Sequence, residues 1–231
     1  MSGAKLVFNL TSSAGTKSCP TVISNAIIAG WTGRNKVAME EHIEELFAMG
    51  IARPASTPIY YRVAATRLNQ DVAIEVVGND SSGEVEFIMV MIDGRLWVGC
   101  GSDHTDRVVE CTGVTISKQL CEKPISSELW PYDEVSGHWD KLMLRSYIME
   151  NGEKVSYQEG PVTTMKDPLE LIAGYAEGKG KLANGSLMFC GTLAAKGGIR
   201  PASRFMFEIE DPVLGRKISH GYDVVTLPVA G

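Results

Sequence analysis

The stretch GEVEFIMVMIDGRLWVGCGSD, residues 83–103, carries the pattern that decides the fold of this chain. Two short β-rich runs flank a central Asp-Gly pair, which favours the tight turn of a β-hairpin. Glu84 and Glu86 are two residues apart, so in a strand both side chains point to one face, with Cα atoms about 6.6–6.8 Å apart. The second strand returns Asp103 to the level of Glu84. The stretch therefore predicts a hairpin with three carboxylates at its open end.

These three carboxylates indicate a cation site. Anions that lie close together repel each other and lose hydration, so a proton, a base or a cation must compensate their charge. Oxygen ligands alone favour Mg²⁺, Mn²⁺ or Ca²⁺ over zinc. A plainer interpretation stays open, because Glu84 and Glu86 also fit the solvent face of a half-buried strand. His104, which neighbours Asp103, points to the other face of a strand, and we expect it to be structural.

The rest of the chain predicts a mainly β protein with few helices. Runs 5–10 and 21–29 are typical of strands, and further β-rich runs punctuated by Gly, Asp or Asn follow from residue 72, RVVECTGVTI (107–116) among them. Residues 34–50 show the apolar spacing of an amphipathic helix that Thr32 or Asn35 caps, and residues 167–178 predict a second helix. We predict one domain, 1–231, with an N-terminal arm and helix in 1–66 and a β core in 67–231.

Composition narrows the classes of function. The 231 residues carry a net charge of −6, which argues against a nucleic-acid partner and against electrostatic membrane attachment. Apolar runs stay well below the ~20 residues that span a bilayer. The five cysteines form no CxxC pair, which favours reduced thiols. With no signal peptide recognisable, we expect a cytoplasmic protein.

An ordered set of motifs resembles the fumarylacetoacetate hydrolase superfamily, and most closely an uncharacterised bacterial branch of it. The matching segments are Gly33-Arg34-Asn35, His42 with Glu45 in a His-x-x-Glu spacing, residues 58–62, Glu84-Val85-Glu86, residues 103–107, residues 117–124, residues 190–193 and residues 207–216. No single segment is specific, but together they keep the order of the superfamily. The resemblance implies an α+β fold, a mixed β-sandwich roll with an N-terminal helical lid segment, and a homodimer.

The resemblance also implies a metal-dependent hydrolase of the fumarylacetoacetase type. Such an enzyme cleaves a C–C or related acyl bond in a small oxo acid or diketone through an enolate that the cation stabilises. The implied metal ligands, for Mg²⁺ or else Mn²⁺ or Ca²⁺, are Glu84, Glu86 and Asp103. The implied catalytic residues are His42, Glu45 and Lys118. The implied substrate-binding residues are Arg34, Arg62, Gly191 and Thr192.

Alternatives stay open for residues and function alike. Lys118 also fits an exposed turn lysine, and His42 with Glu45 also fits the flank of an amphipathic helix. The same enolate chemistry serves a lyase, a decarboxylase or an isomerase that acts on a related oxo acid. A third possibility is a noncatalytic roll whose cation is structural.

Overall fold

In a computed structural model the described residues are 3–48, 53–176 and 180–230, without the side chains at positions 42, 45, 46 and 48. The strands are β1 (Ala4–Ser12), β2 (Gly15–Ile23), β3 (Asn25–Gly30), β4 (Ile59–Val63), β5 (Leu68–Asn69), β6 (Ala73–Val77), β7 (Ser81–Ser82), β8 (Val85–Ile92), β9 (Arg95–Ser102), β10 (Thr105–Asp106), β11 (Lys123–Pro124), β12 (Glu128–Pro131), β13 (Met143–Glu150), β14 (Glu153–Pro161), β15 (Ser186–Thr192), β16 (Arg204–Asp211) and β17 (Arg216–Leu227). The helices are α1 (Lys36–Ala48), α2 (Arg107–Thr112), α3 (Val114–Leu120), α4 (Tyr132–Val135) and α5 (Pro168–Tyr175), with 3₁₀ turns at Ala65–Arg67, Ser136–Lys141 and Val162–Thr164.

Two mixed sheets form the body of the fold. An eight-stranded sheet has the order β2-β1-β12-β9-β8-β15-β3-β4, and a five-stranded sheet has the order β14-β13-β16-β17-β6. Two small ladders, β10-β7 and β11-β5, complete the pairing. None of the helices described is long and apolar enough to cross a lipid bilayer.

Strand β8 lies at the centre of the eight-stranded sheet and is buried on both faces. Because side chains alternate along a strand, Phe87 and Met89 join the core between the two sheets, where they meet residues such as Phe207 of β16. Ile88 and Val90 join a second core on the opposite face. Glu84 and Glu86 share the parity of Ile88, so the fold directs both carboxylates to the face that carries this second core.

The hairpin predicted for residues 83–103 is present. Strands β8 and β9 pair antiparallel from Ile92↔Arg95 to Val85↔Ser102. The turn between them uses Asp93 and Gly94, with φ of 49° and 78°, which is the left-handed region that an Asp-Gly hairpin turn requires. Beyond the last strand pair, the amide of Asp103 donates a hydrogen bond of 3.0 Å to the carbonyl of Glu84. The register therefore brings Asp103 level with Glu84, as the sequence predicts.

Two predicted strands differ from the structure. The run 21–29 is split at Ser24, whose amide donates to the carbonyl of Gly185 at 2.9 Å, so its halves belong to β2 and β3. The run 107–116 forms helices α2 and α3 rather than a strand. Asp106 begins α2 by accepting hydrogen bonds from two backbone amides of the first turn, and this N-cap outweighs the β-branched residues that follow.

The N-terminal region is part of the main sheet. Strand β1 pairs with β12 and β3 pairs with β15, both in parallel. The predicted division between an arm at 1–66 and a core at 67–231 therefore does not follow a boundary in the sheet. Helix α1 lies within the predicted range 34–50, and the side chain of Asn35 caps it by accepting hydrogen bonds from the next turn. Helix α5 confirms a helix within 167–178.

Candidate metal centre

Glu84, Glu86 and Asp103 converge on one point. Each offers a carboxylate oxygen, and these oxygens all lie within 4.8 Å of one another. Glu86 is 3% exposed and Asp103 is fully buried, whereas Glu84 is partly exposed. The cluster is therefore largely buried, and Glu84 is its most exposed member.

Lys123 and Arg107 each form an ion pair with one carboxylate of this cluster. The ammonium of Lys123 lies 3.0 Å from Oδ1 of Asp103 and also donates to the carbonyl of His104. The guanidinium of Arg107 lies 3.2 Å from Oε1 of Glu84 and is itself held by Ser82 and Glu110. Lys123 is fully buried, so this ammonium and its carboxylate compensate each other without solvent.

Lys118 is a third cation at the cluster. It projects from helix α3 and is 7% exposed. Its ammonium donates to Oδ2 of Asp103, lies 4.0 Å from Oε2 of Glu84, and lies 5.9 Å from the centre of the Tyr61 ring. The structure therefore brings Lys118 to the carboxylates, and the exposed turn lysine that the sequence left open does not describe it.

The pKa values of Asp103 and Glu86 are shifted in opposite directions. Burial alone would raise the pKa of the Asp103 carboxyl, but Lys118 and Lys123 hold it well below its ordinary value. Burial and the nearby charge of Asp103 raise the pKa of the Glu86 carboxyl well above its ordinary value. Within the described residues Glu86 has no Lys or Arg at ion-pair distance, and its Oε2 accepts a hydrogen bond from the amide of Gly191. Glu86 is thus the buried carboxylate that lacks a positive partner.

A hydrogen-bonded row of buried groups connects Ser102 and His104, the two residues that flank Asp103 in sequence. The hydroxyl of Tyr222 lies 2.8 Å from Oγ of Ser102 and 2.8 Å from Nδ1 of His104, whose Nε2 lies 2.9 Å from Oγ of Ser81. Burial lowers the pKa of His104 to about 3, so the imidazole is neutral at physiological pH. As expected, His104 turns away from the carboxylates and has a structural role.

The sequence also matches a known family. Residues 29–222 match the profile of the family described as "Protein of unknown function (DUF2848)". The chain belongs to this family. None of the curated proteins is similar enough to count as a relative.

Solved structures share the fold of this family member at low identity. A yeast protein of the fumarylacetoacetate hydrolase family aligns with 90% of this chain and 95% of its own, with a TM-score of 0.63 and 17% identity. A Burkholderia cenocepacia protein assigned as a fumarylpyruvate hydrolase aligns over 99% and 98%, with a TM-score of 0.60 and 18% identity. A 2-keto-3-deoxyarabinonate dehydratase aligns over 93% and 78%, with a TM-score of 0.64 and 14% identity. These likenesses confirm the predicted fold class, that of fumarylacetoacetate hydrolase family proteins.

The chemistry of the donor set fits a hard divalent cation. The cluster consists of three carboxylates, and oxygen donors are the ligands that Mg²⁺, Mn²⁺ and Ca²⁺ prefer. A dication would also supply the positive charge that Glu86 lacks. Glu84, Glu86 and Asp103 are therefore the residues that would hold it, as the sequence predicts.

Arg34 and Arg62, the two arginines predicted to bind substrate, lie in different parts of the structure. Arg34, 45% exposed, follows a short segment that pairs with residues 164–166, and its Nε donates to the carbonyl of Met165. In strand β4 the side chain of Tyr61 points towards Lys118. Because successive side chains of a strand point to opposite faces, Arg62 points away from the carboxylates. The guanidinium of Arg62 instead donates to Tyr175 and Asn25.

Gly191 and Thr192 are engaged within the protein. The amide of Gly191 is bonded to Glu86, and the hydroxyl of Thr192 donates to the carbonyl of Val85 at 2.8 Å. The same hydroxyl accepts a hydrogen bond of 2.8 Å from Nε2 of Gln158. Both residues predicted to bind substrate therefore also make hydrogen bonds within the protein, Gly191 to Glu86 and Thr192 to β8 and β14. His42 and Glu45 fall on helix α1, but their side chains lie outside the described residues.

Several residues of the centre were not predicted from sequence. Lys123 lies in the segment 117–124 that also contains Lys118, and it directly precedes Pro124. This Lys-Pro pair was the available signal for a second lysine at the centre. Arg107 lies four residues after Asp103, and its place on a helix became evident only with α2. Gln158 comes from β14, distant in sequence, and no local pattern indicates it.

Proposed function

We propose that this protein is a divalent-metal-dependent enzyme that hydrolyses a C–C or related acyl bond in a small oxo acid or diketone. The observation that carries the proposal is the convergence of Glu84, Glu86 and Asp103 at the edge of a buried core, in a fold shared with fumarylacetoacetate hydrolase family proteins. A protein assigned as a fumarylpyruvate hydrolase and a 2-keto-3-deoxyarabinonate dehydratase have this fold, and both names denote enzymes of oxo acids.

The three carboxylates would hold Mg²⁺, or else Mn²⁺ or Ca²⁺. Such an ion supplies a Lewis acid that draws electron density from the oxo group of a substrate. The protein's own groups prepare the site for it. Lys123 orients Oδ1 of Asp103, Arg107 orients Oε1 of Glu84, and the amide of Gly191 orients Oε2 of Glu86. Ligands held in this way need little reorganisation when a substrate binds.

Other side chains would act on the substrate itself. Lys118 places an ammonium beside Asp103 and Glu84, where it would stabilise negative charge that develops on the substrate's oxo oxygen. Arg34, on the loop that leads into α1, would bind a substrate carboxylate, which a guanidinium does in bidentate fashion. His42 and Glu45, one helical turn apart on α1, would act together as the general base that takes a proton from the attacking water.

A lyase or isomerase reaction on a related oxo acid is the second candidate. The observation that favours it is the fold likeness to 2-keto-3-deoxyarabinonate dehydratase, whose TM-score of 0.64 matches that of the hydrolase family protein from yeast at 0.63. Such a reaction needs the carboxylates and Lys118 but no water-activating base. A noncatalytic roll with a structural cation is the third.

A substrate panel separates these three functions. The purified chain is incubated with acylpyruvates, 1,3-diketo acids and 2-keto-3-deoxy sugar acids, with Mg²⁺ or Mn²⁺ added or with a chelator, and products are read by mass. The hydrolase proposal expects metal-dependent cleavage that Glu84→Gln and His42→Ala both abolish. A lyase or isomerase keeps its activity in His42→Ala and loses it in Glu84→Gln. No turnover of any member, with metal bound, supports a structural cation and contradicts both enzymes.

We further propose a homodimer in a reducing, cytoplasmic environment. The five cysteines are all free thiols in the structure, which supports a reducing compartment.

Light scattering on the full chain tests the proposed homodimer. A mass near twice 25.0 kDa is expected, and the mass of a single chain would contradict the dimer.

A further inference from the structure

The carboxylate oxygens of the cluster divide into two pairs. The outer oxygens, Oδ1 of Asp103 and Oε1 of Glu84, are held by Lys123 and Arg107 respectively. The inner oxygens, Oδ2 of Asp103 and Oε2 of Glu84, both face Lys118. Lys118 is therefore the cation that faces the two oxygens with which Lys123 and Arg107 do not pair.

The two lysines differ in what holds them. Lys123 is fully buried, and its ammonium is held by the carbonyl of His104 as well as by Asp103. Lys118 is anchored only by the cluster among the described residues, on a helix of seven residues whose outer face carries the exposed Ile116 and Leu120. The ring of Tyr61, 5.9 Å from the ammonium, offers it a favourable alternative surface.

We propose that the Lys118 ammonium is a built-in counter-cation that competes with a divalent metal ion for the inner oxygens and yields them when the ion binds. The inference rests on the proposed metal site. Like charges at such short range repel strongly in a partly buried site, so the ammonium and the ion do not share these oxygens. Without any metal ion, Lys118, Lys123 and Arg107 compensate Asp103 and Glu84, with Arg107 shared with Glu110, and Glu86 keeps no positive partner among the described residues.

This arrangement has two consequences for the centre. The metal-free site is stabilised, because Asp103 and Glu84 do not repel each other unopposed. The affinity for the divalent ion is lowered, because each binding event must also displace the ammonium. Once displaced towards Tyr61, the ammonium stays beside the cluster, in the position from which it would meet a substrate.

Calorimetric titration of the chelator-treated full chain with Mn²⁺ tests the inference. Lys118→Met keeps the length of the side chain and removes its charge, so it is expected to bind Mn²⁺ at least about tenfold more tightly than the wild type. Lys118→Arg keeps the charge and is expected to bind no more tightly than the wild type. Lys5→Met, on the exposed face of β1, changes the net charge by the same amount and is expected to leave the affinity unchanged.

A second readout comes from thermal unfolding of the same variants. Lys118→Met is expected to unfold at a lower temperature than the wild type without metal and to gain more from Mn²⁺, because tighter binding to the folded state raises stability. Lys118→Gln replaces it if Lys118→Met does not fold. Equal or weaker Mn²⁺ binding by the folded, uncharged variant overturns the inference and leaves the metal site intact. Binding by none of the proteins, the wild type included, contradicts the metal site as well.

Discussion

The backbone amide of Gly191 donates a hydrogen bond to Oε2 of Glu86 at the point where the register between β15 and β8 shifts. Gly191 has φ of +102°, and a Cβ there would lie 1.8 Å from Oγ1 of Thr32. A side chain at this position is therefore excluded by both conformation and space. A strand irregularity thus places one carboxylate of the proposed metal centre, and glycine makes the irregularity possible.

Gly191→Ala is expected to weaken the metal site as well as the fold. The left-handed φ alone costs about 1–3 kcal/mol, and the contact with Thr32 adds to it. Gly94→Ala is the matched control, since Gly94 also has positive φ but open space around it, and it lies in the turn at the end of β8 that is remote from Glu86. Urea unfolding should show both variants destabilised, whereas Mn²⁺ titration should show weaker binding only for Gly191→Ala. Equal Mn²⁺ affinity in the two variants would contradict the role of Gly191.

Lys123→Met is expected to be among the most destabilising single changes in the chain. Removal of one partner from a buried pair leaves the Asp103 carboxylate without its fully buried neighbour, which costs about 3–5 kcal/mol. Lys196→Met breaks an exposed pair with Glu159 and is expected to cost no more than about 1 kcal/mol. Urea unfolding measures both. A loss for Lys123→Met no greater than that for Lys196→Met would show that the buried pair contributes little.

Asp211, in strand β16, is expected to make the stability of the protein dependent on pH. Its carboxylate accepts hydrogen bonds from the amides of Val213 and Leu214 and from Nε2 of His138. Burial alone would raise its pKa, but these hydrogen bonds and Arg216 hold the pKa below its ordinary value. A depressed folded-state pKa means that the stabilisation is complete above about pH 4, the range of an unfolded aspartate, and is lost as the pH falls through the folded value.

Asp211→Asn is therefore expected to be less stable than the wild type at pH 7 and to lose less stability on acidification. Urea unfolding between pH 7 and pH 3 measures the slope for both proteins. Asp140→Asn, which changes a side chain that is 74% exposed, is the control and should follow the wild type. Parallel slopes for Asp211→Asn and the wild type would contradict the linkage.

The parts of the fold that local sequence encodes were predictable. The hairpin of residues 83–103 depends on an Asp-Gly turn and on alternation, and both act within 21 consecutive residues. The same alternation indicates which residues of a strand share a face. Applied to β4, it would have separated Arg62 from Tyr61 and excluded Arg62 from the centre. The β-branched residues of 107–116 predict a strand, whereas the Asp106 cap begins helix α2 in the structure.

The remainder of the centre depends on contacts between distant segments. Gln158 of β14 accepts a hydrogen bond from the amide of Val85 and donates to Thr192 and to the carbonyl of Leu193, which joins three separate strands. Lys123 reaches Asp103 because β11 pairs with β5, a parallel contact across more than fifty residues. Propensity and periodicity carry no information about such pairings, and the roles of Lys123 and Gln158 therefore became evident only in three dimensions.

Titration of the chelator-treated protein with Mn²⁺, alongside Glu86→Gln, tests the metal centre most directly. Gln keeps the size of Glu86 and an oxygen for the amide of Gly191 but removes the charge that a divalent ion would compensate. We expect one Mn²⁺ per chain in the wild type and binding at least about tenfold weaker in Glu86→Gln. A wild-type protein that binds no divalent ion, or a Glu86→Gln variant that binds it equally well, would contradict the account.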